Sequence, residues 1–202
     1  MARKSKAGVR KREILEHFYQ VLAKEGLEGA SIGKIAKHMG MHPSLVIHYF
    51  KTKEAMTVEL VDVILERYEK TYLPKLDEIK DPEQRLDTFL NAIFGLGWVK
   101  LIDVNVFFAC YYLSFRNDRV KERFKKMYAR FKEVLINEIK ICIDKGIIKK
   151  TDPEKTAESI IVLAEGLDFY ENVCGDDRQF EELGHYLKGI ALRLLKGNED
   201  QD

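Results

Sequence analysis

Cysteine is scarce and poorly placed for cross-linking. The three in this 202-residue chain, Cys110, Cys142 and Cys174, are odd in number and form no CxxC pair. This argues against a disulfide framework, and a reducing cytoplasm is the expected compartment. Proline is nearly absent at four residues and glycine stops at 13, so long helices meet few interruptions. No apolar run reaches the roughly 18 residues a membrane span needs. The richest stretch, 89–115, is broken by Asn91, Lys100, Asp103 and Asn105. The basic start of the chain is not followed by an apolar segment, so no signal peptide is expected. Legible strands are missing too, which leaves the GLG at 95–97 without the setting of a dinucleotide loop. The five histidines are scattered, and Glu182-x-x-His185 stands alone where a di-metal bundle needs two such motifs and further carboxylates. We therefore expect no enzyme, no metal and no cofactor, and keep a metal-binding helical-bundle enzyme only as a rival reading.

Acid is missing where base is dense. Residues 1–12 hold Arg3, Lys4, Lys6, Arg10, Lys11 and Arg12 and no Asp or Glu. Residues 1–53 carry 11 Lys+Arg against 4 Asp+Glu, a net of +7, whereas the remainder carries 23 against 29, a net of −6. The whole-chain charge of +1 conceals this polarity. A basic end suits a polyanion; alone, it is equally a solvated tail.

The neighbouring segment gives the basic end a purpose. In SIGKIAKHMGMHPSLVIHYFKTK, residues 31–53, Ser31 is a good N-cap. Ile32, Ile35, Ala36 and Met39 recur at helical spacing. Gly40 permits a positive-φ turn, and Pro43 suits the first position of a new helix. Val46 and Phe50 can face the helix before, and Thr52 can cap the helix after. Two helices joined by so short a turn form a helix-turn-helix pattern, whose second helix enters the DNA major groove.

Residues 9–56 resemble the DNA-binding domain of the TetR family of bacterial transcription regulators. The matching pieces are Ile14, Phe18 and Gly26, then Ser31-x-x-x-Ile35-Ala36, then Gly40-Met41, then His48-Tyr49-Phe50-x-x-Lys53. The resemblance implies phosphate contacts from Ser31 with the helix start behind it, from Tyr49 and from Lys53. Base reading then falls to His42, Pro43, Ser44, Leu45, Ile47 and His48. The chain departs from the family where Ile47 replaces a usual tyrosine and Leu45 a small residue or threonine. Arg and Asn, the strongest base readers, are absent from this helix. The expected surface is apolar contact with thymine methyls plus hydrogen bonds from Ser44 and His48.

The rest of the chain reads as helices, about nine in all. They are expected near Val9–Glu25, 31–38, 43–49, Lys53 to about Tyr72, from Asp81-Pro82-Glu83 to Gly95, 103–115, 118–145, from Asp152-Pro153-Glu154 onward, and 178–196. Pro74 is expected to stop the fourth, and Gly26 and Gly146 to close the first and seventh. The fold class is thus all-α. An N-terminal three-helix helix-turn-helix domain, 1–52, precedes a helical effector-binding and dimerisation domain, 53–202.

Small residues Ala157, Ala164 and Gly166 on the eighth helix allow close approach of another backbone. Phe180, Leu183, Leu187, Ile190 and Leu194 on the ninth have the spacing of a bundle seam. These two helices pack within one subunit or, as the resemblance implies, against their copies in a homodimer. Aromatics gather mid-chain: Phe94, Trp98, Phe107, Phe108, Tyr111, Tyr112, Tyr128 and Phe131, with Phe169 beyond. They are plain core or the lining of a mostly apolar cavity for a small-molecule effector. Glu165 is the sharpest polar candidate there, facing a ligand or paired across the dimer. The sequence reading is a DNA-binding regulator, a repressor released by its effector; a helical DNA-binding protein without an effector is the alternative.

Overall fold

The computed structural model describes residues 6–95, 102–174 and 177–196. Trp98, Gly97, the first five residues and the tail from 197 lie outside the described residues. Among the described residues there are nine α-helices and no strand. They are α1 (Lys6–Gly29), α2 (Ile32–His38), α3 (Pro43–Tyr49), α4 (Lys53–Asp77) and α5 (Pro82–Phe94), followed by α6 (Val104–Ser114), α7 (Asp118–Asp144), α8 (Pro153–Cys174) and α9 (Asp177–Lys196). No described helix is long and apolar enough to cross a membrane.

Local chemistry accounts for most of the helix ends. Ser31 Oγ accepts from the Lys34 amide, Thr52 Oγ1 from Ala55, and Asp81 Oδ2 from Gln84. Asp103, Asn117 and Asp152 accept in the same way ahead of α6, α7 and α8. Each satisfies an amide that the first helical turn cannot. Among the described residues, positive φ occurs at Gly26, Gly40 and Gly146. At Gly40 the turn closes with Gly40 N donating to Lys37 O and Met41 N to Ala36 O, the paired bonds of a left-handed C-cap. Gly26, with φ 68°, interrupts helical geometry inside the span of α1.

Pro74 does not end α4. The helix runs on to Asp77 with the proline inside it. The last turn is anchored because Leu76 is buried in a hydrophobic core, which outweighs the one backbone bond that proline removes.

The chain divides into two compact units, Met1–Arg67 with Ile102–Met127, and Tyr68–Leu101 with Tyr128–Asp202. The first is built on α1. Ile14, Phe18 and Leu22 are fully buried, as are Ile35 and Ala36 of α2 and Val46 of α3. Helix α6 belongs to this unit and packs on α1. There the Asp103 amide donates to the Tyr19 hydroxyl at 2.7 Å, and the Arg67 guanidinium lies 4.1 Å from the centre of the Tyr19 ring.

The second unit gathers Leu86, Phe89, Leu90 and Phe94 of α5, Leu135 and Ile139 of α7, Ile160 and Leu167 of α8, and Phe180, Ala191 and Leu195 of α9. Helices α9 and α5 approach so closely that a Cβ at Gly184 would sit 2.3 Å from the Phe94 carbonyl oxygen. A half-buried ion pair, Arg85 Nε to Glu138 Oε2 at 2.6 Å, ties α5 to α7.

Candidate nucleic-acid interface and second-unit cleft

Helix α3 buries Val46, half-buries Tyr49 and exposes the rest. Val46 is 0% exposed, whereas Leu45 is 40% and Ile47 47% exposed. His42, Pro43, Ser44 and His48 are exposed beside them. Leu45 and Ile47 are thus exposed apolar side chains on either side of the buried Val46. His42 Nδ1 accepts from the Ser44 amide at 3.4 Å and lies 2.8 Å from Ser44 Oγ. With Nδ1 assigned as the acceptor, Nε2 is the ring's donor, while the Ser44 oxygen keeps acceptor capacity. His48 packs edge-on against Tyr49 at 5.1 Å between ring centres.

Of the residues expected at phosphates, Tyr49 is half-buried at the end of α3. Ser31 is exposed, and its hydroxyl hydrogen is free because the oxygen alone serves the cap. Lys53 is half-buried, and its ammonium donates to the carbonyls of Leu27 at 2.7 Å and Ala30 at 3.2 Å. Two of its three protons are thereby engaged and one remains. The basic start is less free than its sequence implies. Arg10 pairs with Glu13, Lys11 with Glu59 and Arg12 with Glu66, at 2.6 to 2.7 Å. Lys11 also lies 4.9 Å over the Phe50 ring. These three bases belong to α1, not to an extended arm.

The described mid-chain aromatics fall in both units. Phe107, Phe108, Tyr111 and Tyr112 lie on α6 in the first unit, where Phe107 stacks on Tyr111 and both meet Phe124 at 5.8 and 5.9 Å. Phe94 is buried in the core of the second unit, and Phe169 is 60% exposed. The structure brings Phe131 and Glu165 together, in a cleft of about 30 Å³ with Phe89, Ile93, Ile161, Ala164 and Asp168. Tyr128 joins them by donating to Glu165 Oε2 at 2.7 Å. Burial pushes the Glu165 carboxyl up to about 6; the Tyr128 bond opposes this and the Asp168 charge adds to it. Asp168 is raised by burial as well, against the pull of its Asn172 bond. Sequence reasoning missed Asp168, although its position one turn beyond Glu165 was the available signal.

The residues expected at a subunit interface also divide. Ala157 and Phe180 are closed inside the core of the second unit, with no surface to offer a partner. Ala164 faces the cleft, and Leu183, Leu187 and Ile190 are half-buried. Gly166 and Leu194 are exposed. Beside them stand residues the seam pattern passed over: Val162, Phe169, Tyr170 and Val173 of α8, 54–69% exposed, and Tyr186 of α9 at 63%.

Residues 14–60 match the family model "Bacterial regulatory proteins, tetR family", and residues 81–197 match "Tetracyclin repressor-like, C-terminal domain". The HTH-type transcriptional regulator BetI of Rhizobium meliloti (strain 1021) is 22% identical over 161 residues, covering 79% of this chain and 76% of that one. A TetR transcription regulator from Haloarcula marismortui superimposes with a TM-score of 0.78 at 20% identity, covering 93% and 96% of the two chains. A transcriptional regulator from Saccharomonospora viridis, solved in complex with choline, gives 0.81 at 17% identity over 94% and 99%. The helix-turn-helix of α2 and α3, the all-helical architecture and two family models that together span most of the sequence make this chain a member of the TetR family of transcriptional regulators.

Proposed function

We propose that this regulator is a repressor that binds a two-fold symmetric operator as a homodimer and leaves it when a small, mostly apolar molecule binds the second unit. The observation that carries the reading is the outward face of α3. Leu45 and Ile47 offer apolar contact to thymine methyls, His42 Nε2 offers a donor, and Ser44 and His48 offer hydrogen bonds. Ser31, Tyr49 and the remaining proton of Lys53 grip phosphates and set the register. The exposed apolar face of α8, with Tyr186 of α9, supports pairing with a second copy. Pairing is also needed mechanically, because one short helix reads few bases and two about 34–36 Å apart make a specific site.

Helix α4 has residues in both units, so a change in its tilt is a route by which effector and operator compete. An effector that favours one tilt shifts the population toward it, and DNA then weakens the effector by the same factor. The neighbour solved with choline supports small-molecule responsiveness in chains of this fold. The test is a salt-dependent DNA titration of the native chain beside Ile47→Ala. Affinity should fall steeply with salt in both, and the variant should lose about tenfold, or 1.4 kcal/mol, on operator DNA while keeping its non-specific affinity. A variant indistinguishable from the native chain on operator would refute the assignment of α3.

A further inference from the structure

Three partly buried carboxylates of this chain are matched by arginine. Glu138 meets Arg85 at 2.6 Å, Glu69 meets Arg130 at 2.9 Å and Asp62 meets Arg123 at 3.3 Å. Glu165 and Asp168 are different. They lie one turn apart on α8 and line the same cleft. The groups acting on Glu165 are the Tyr128 hydroxyl of α7 and the Asp168 carboxylate, and Asp168 is bonded to Asn172. Helix α5 contributes only the uncharged Phe89 and Ile93. Among the described residues, no cationic side chain acts on either acid.

Two acids side by side on a largely apolar wall repel each other and lose hydration, a cost that a counter-charge would offset. This chain has 34 Lys+Arg and sends none of the described ones there. The wall itself favours a cation. Phe131 lines the same cleft as the carboxylates, and its ring meets those of Tyr128 and Tyr68 at near right angles with centres 6.3 and 5.6 Å apart, so an aromatic side chain able to attract a cation belongs to the wall. The cleft volume of about 30 Å³ exceeds the roughly 10–15 Å³ that one water needs, room for an ammonium head rather than a whole molecule.

We propose that the cleft between α5, α7 and α8 seats the charged head of the effector, and that the effector is an organic cation: an ammonium group carried on an apolar body. Glu165 and Asp168 supply the charge, Tyr128 orients Glu165, and the aromatic and aliphatic wall excludes water from the pair. The inference rests on the effector reading of the second unit and narrows it to a chemical class.

The test is calorimetric titration of the full chain with n-hexylamine and with 1-hexanol, which share a body and differ in charge. The amine stays protonated from pH 5 to 8, as a lysine side chain does. The amine should bind at least about tenfold more tightly than the alcohol at pH 7.5, the scale of a charge-assisted contact. That preference should shrink as pH falls through about 6, where Glu165 takes up a proton. Glu165→Gln should cut the preference several-fold, the Asp168 carboxylate remaining, and leave the alcohol unaffected, with a thermal melt confirming that the variant is folded. Equal affinity for the two compounds, an amine affinity unchanged in Glu165→Gln, or binding of neither compound would each overturn the proposal. Operator binding followed in the same preparations separates the two readings. Loss of the cation preference with DNA binding intact removes this inference alone, whereas loss of DNA binding removes the regulator reading and leaves the selectivity of the cleft standing.

Discussion

His42 shows how much one side chain on a recognition helix has to do. It caps α3 through Nδ1, which assigns the donor role to Nε2 of an exposed ring. Lys53 is similarly divided. Its bonds to the Leu27 and Ala30 carbonyls fasten the end of α1 to the start of α4, and one proton is left for the proposed phosphate contact. Lys53→Met should therefore cost about 1.5–3 kcal/mol in a urea melt, the worth of charge-assisted bonds. It should also reduce the salt slope of DNA binding by about 1. A normal melt with a reduced slope would show that the two carbonyl bonds carry no stability.

Glu165 has the opposite sign. Its folded pKa of about 6 lies above the ordinary 4.5, so the folded chain favours the protonated form. The contribution of this group to stability is complete below pH 4.5 and is lost as pH rises through about 6. Glu165→Gln should be more stable than the native chain by about 2 kcal/mol at pH 8, with the gap closing near pH 4.5. Paired melts at the two pH values measure it.

At the scale of elements, α8 and α9 each have one face in a core and one in water. On α8 the outer face carries Val162, Gly166, Phe169, Tyr170 and Val173, a helical stripe that only a further surface would bury. Phe169→Asp should turn the proposed dimer into single subunits in sedimentation while leaving a cooperative melt. On α9 the inner face includes Gly184. Alanine there gains about 1 kcal/mol in helix propensity, but its Cβ would meet the Phe94 carbonyl oxygen at 2.3 Å. Overpacking costs about 1–3 kcal/mol, and backbone yields less readily than a side chain, so Gly184→Ala should lower the midpoint of a denaturant melt.

The same elements show what was legible in the sequence. Caps at Ser31, Thr52, Asp81 and Asp152 and turns at Gly26, Gly40 and Gly146 were readable because each depends on a few neighbouring residues. On α9, Phe180, Gly184, Ala191 and Leu195 are buried, Leu183, Leu187 and Ile190 are half-buried and Leu194 is exposed, and apolar spacing alone does not reveal that a close approach to α5 is made at a glycine. Placing α6 in the first unit was out of reach, since it depends on partners as remote in sequence as Tyr19 and Asp103. The cleft was half legible. Glu165 stood out as an acid in an apolar helix, but its neighbours on α5 and α7 come from distant segments.

Over the whole molecule, charge is divided, +7 in residues 1–53 and −6 in the rest. The described part of the basic segment spends Arg10, Lys11 and Arg12 on glutamates, so fewer bases are free for phosphate than composition implies. The affinity of a single subunit for DNA should accordingly be modest, with specificity arising from two copies of α3 on one duplex. The most direct test is selection of binding sites from a randomised duplex pool with the full chain. The account predicts a two-fold symmetric consensus with half-sites one helical turn apart and thymine where Leu45 and Ile47 make contact. Enrichment of asymmetric or guanine-rich half-sites, or no enrichment at low salt, would contradict it.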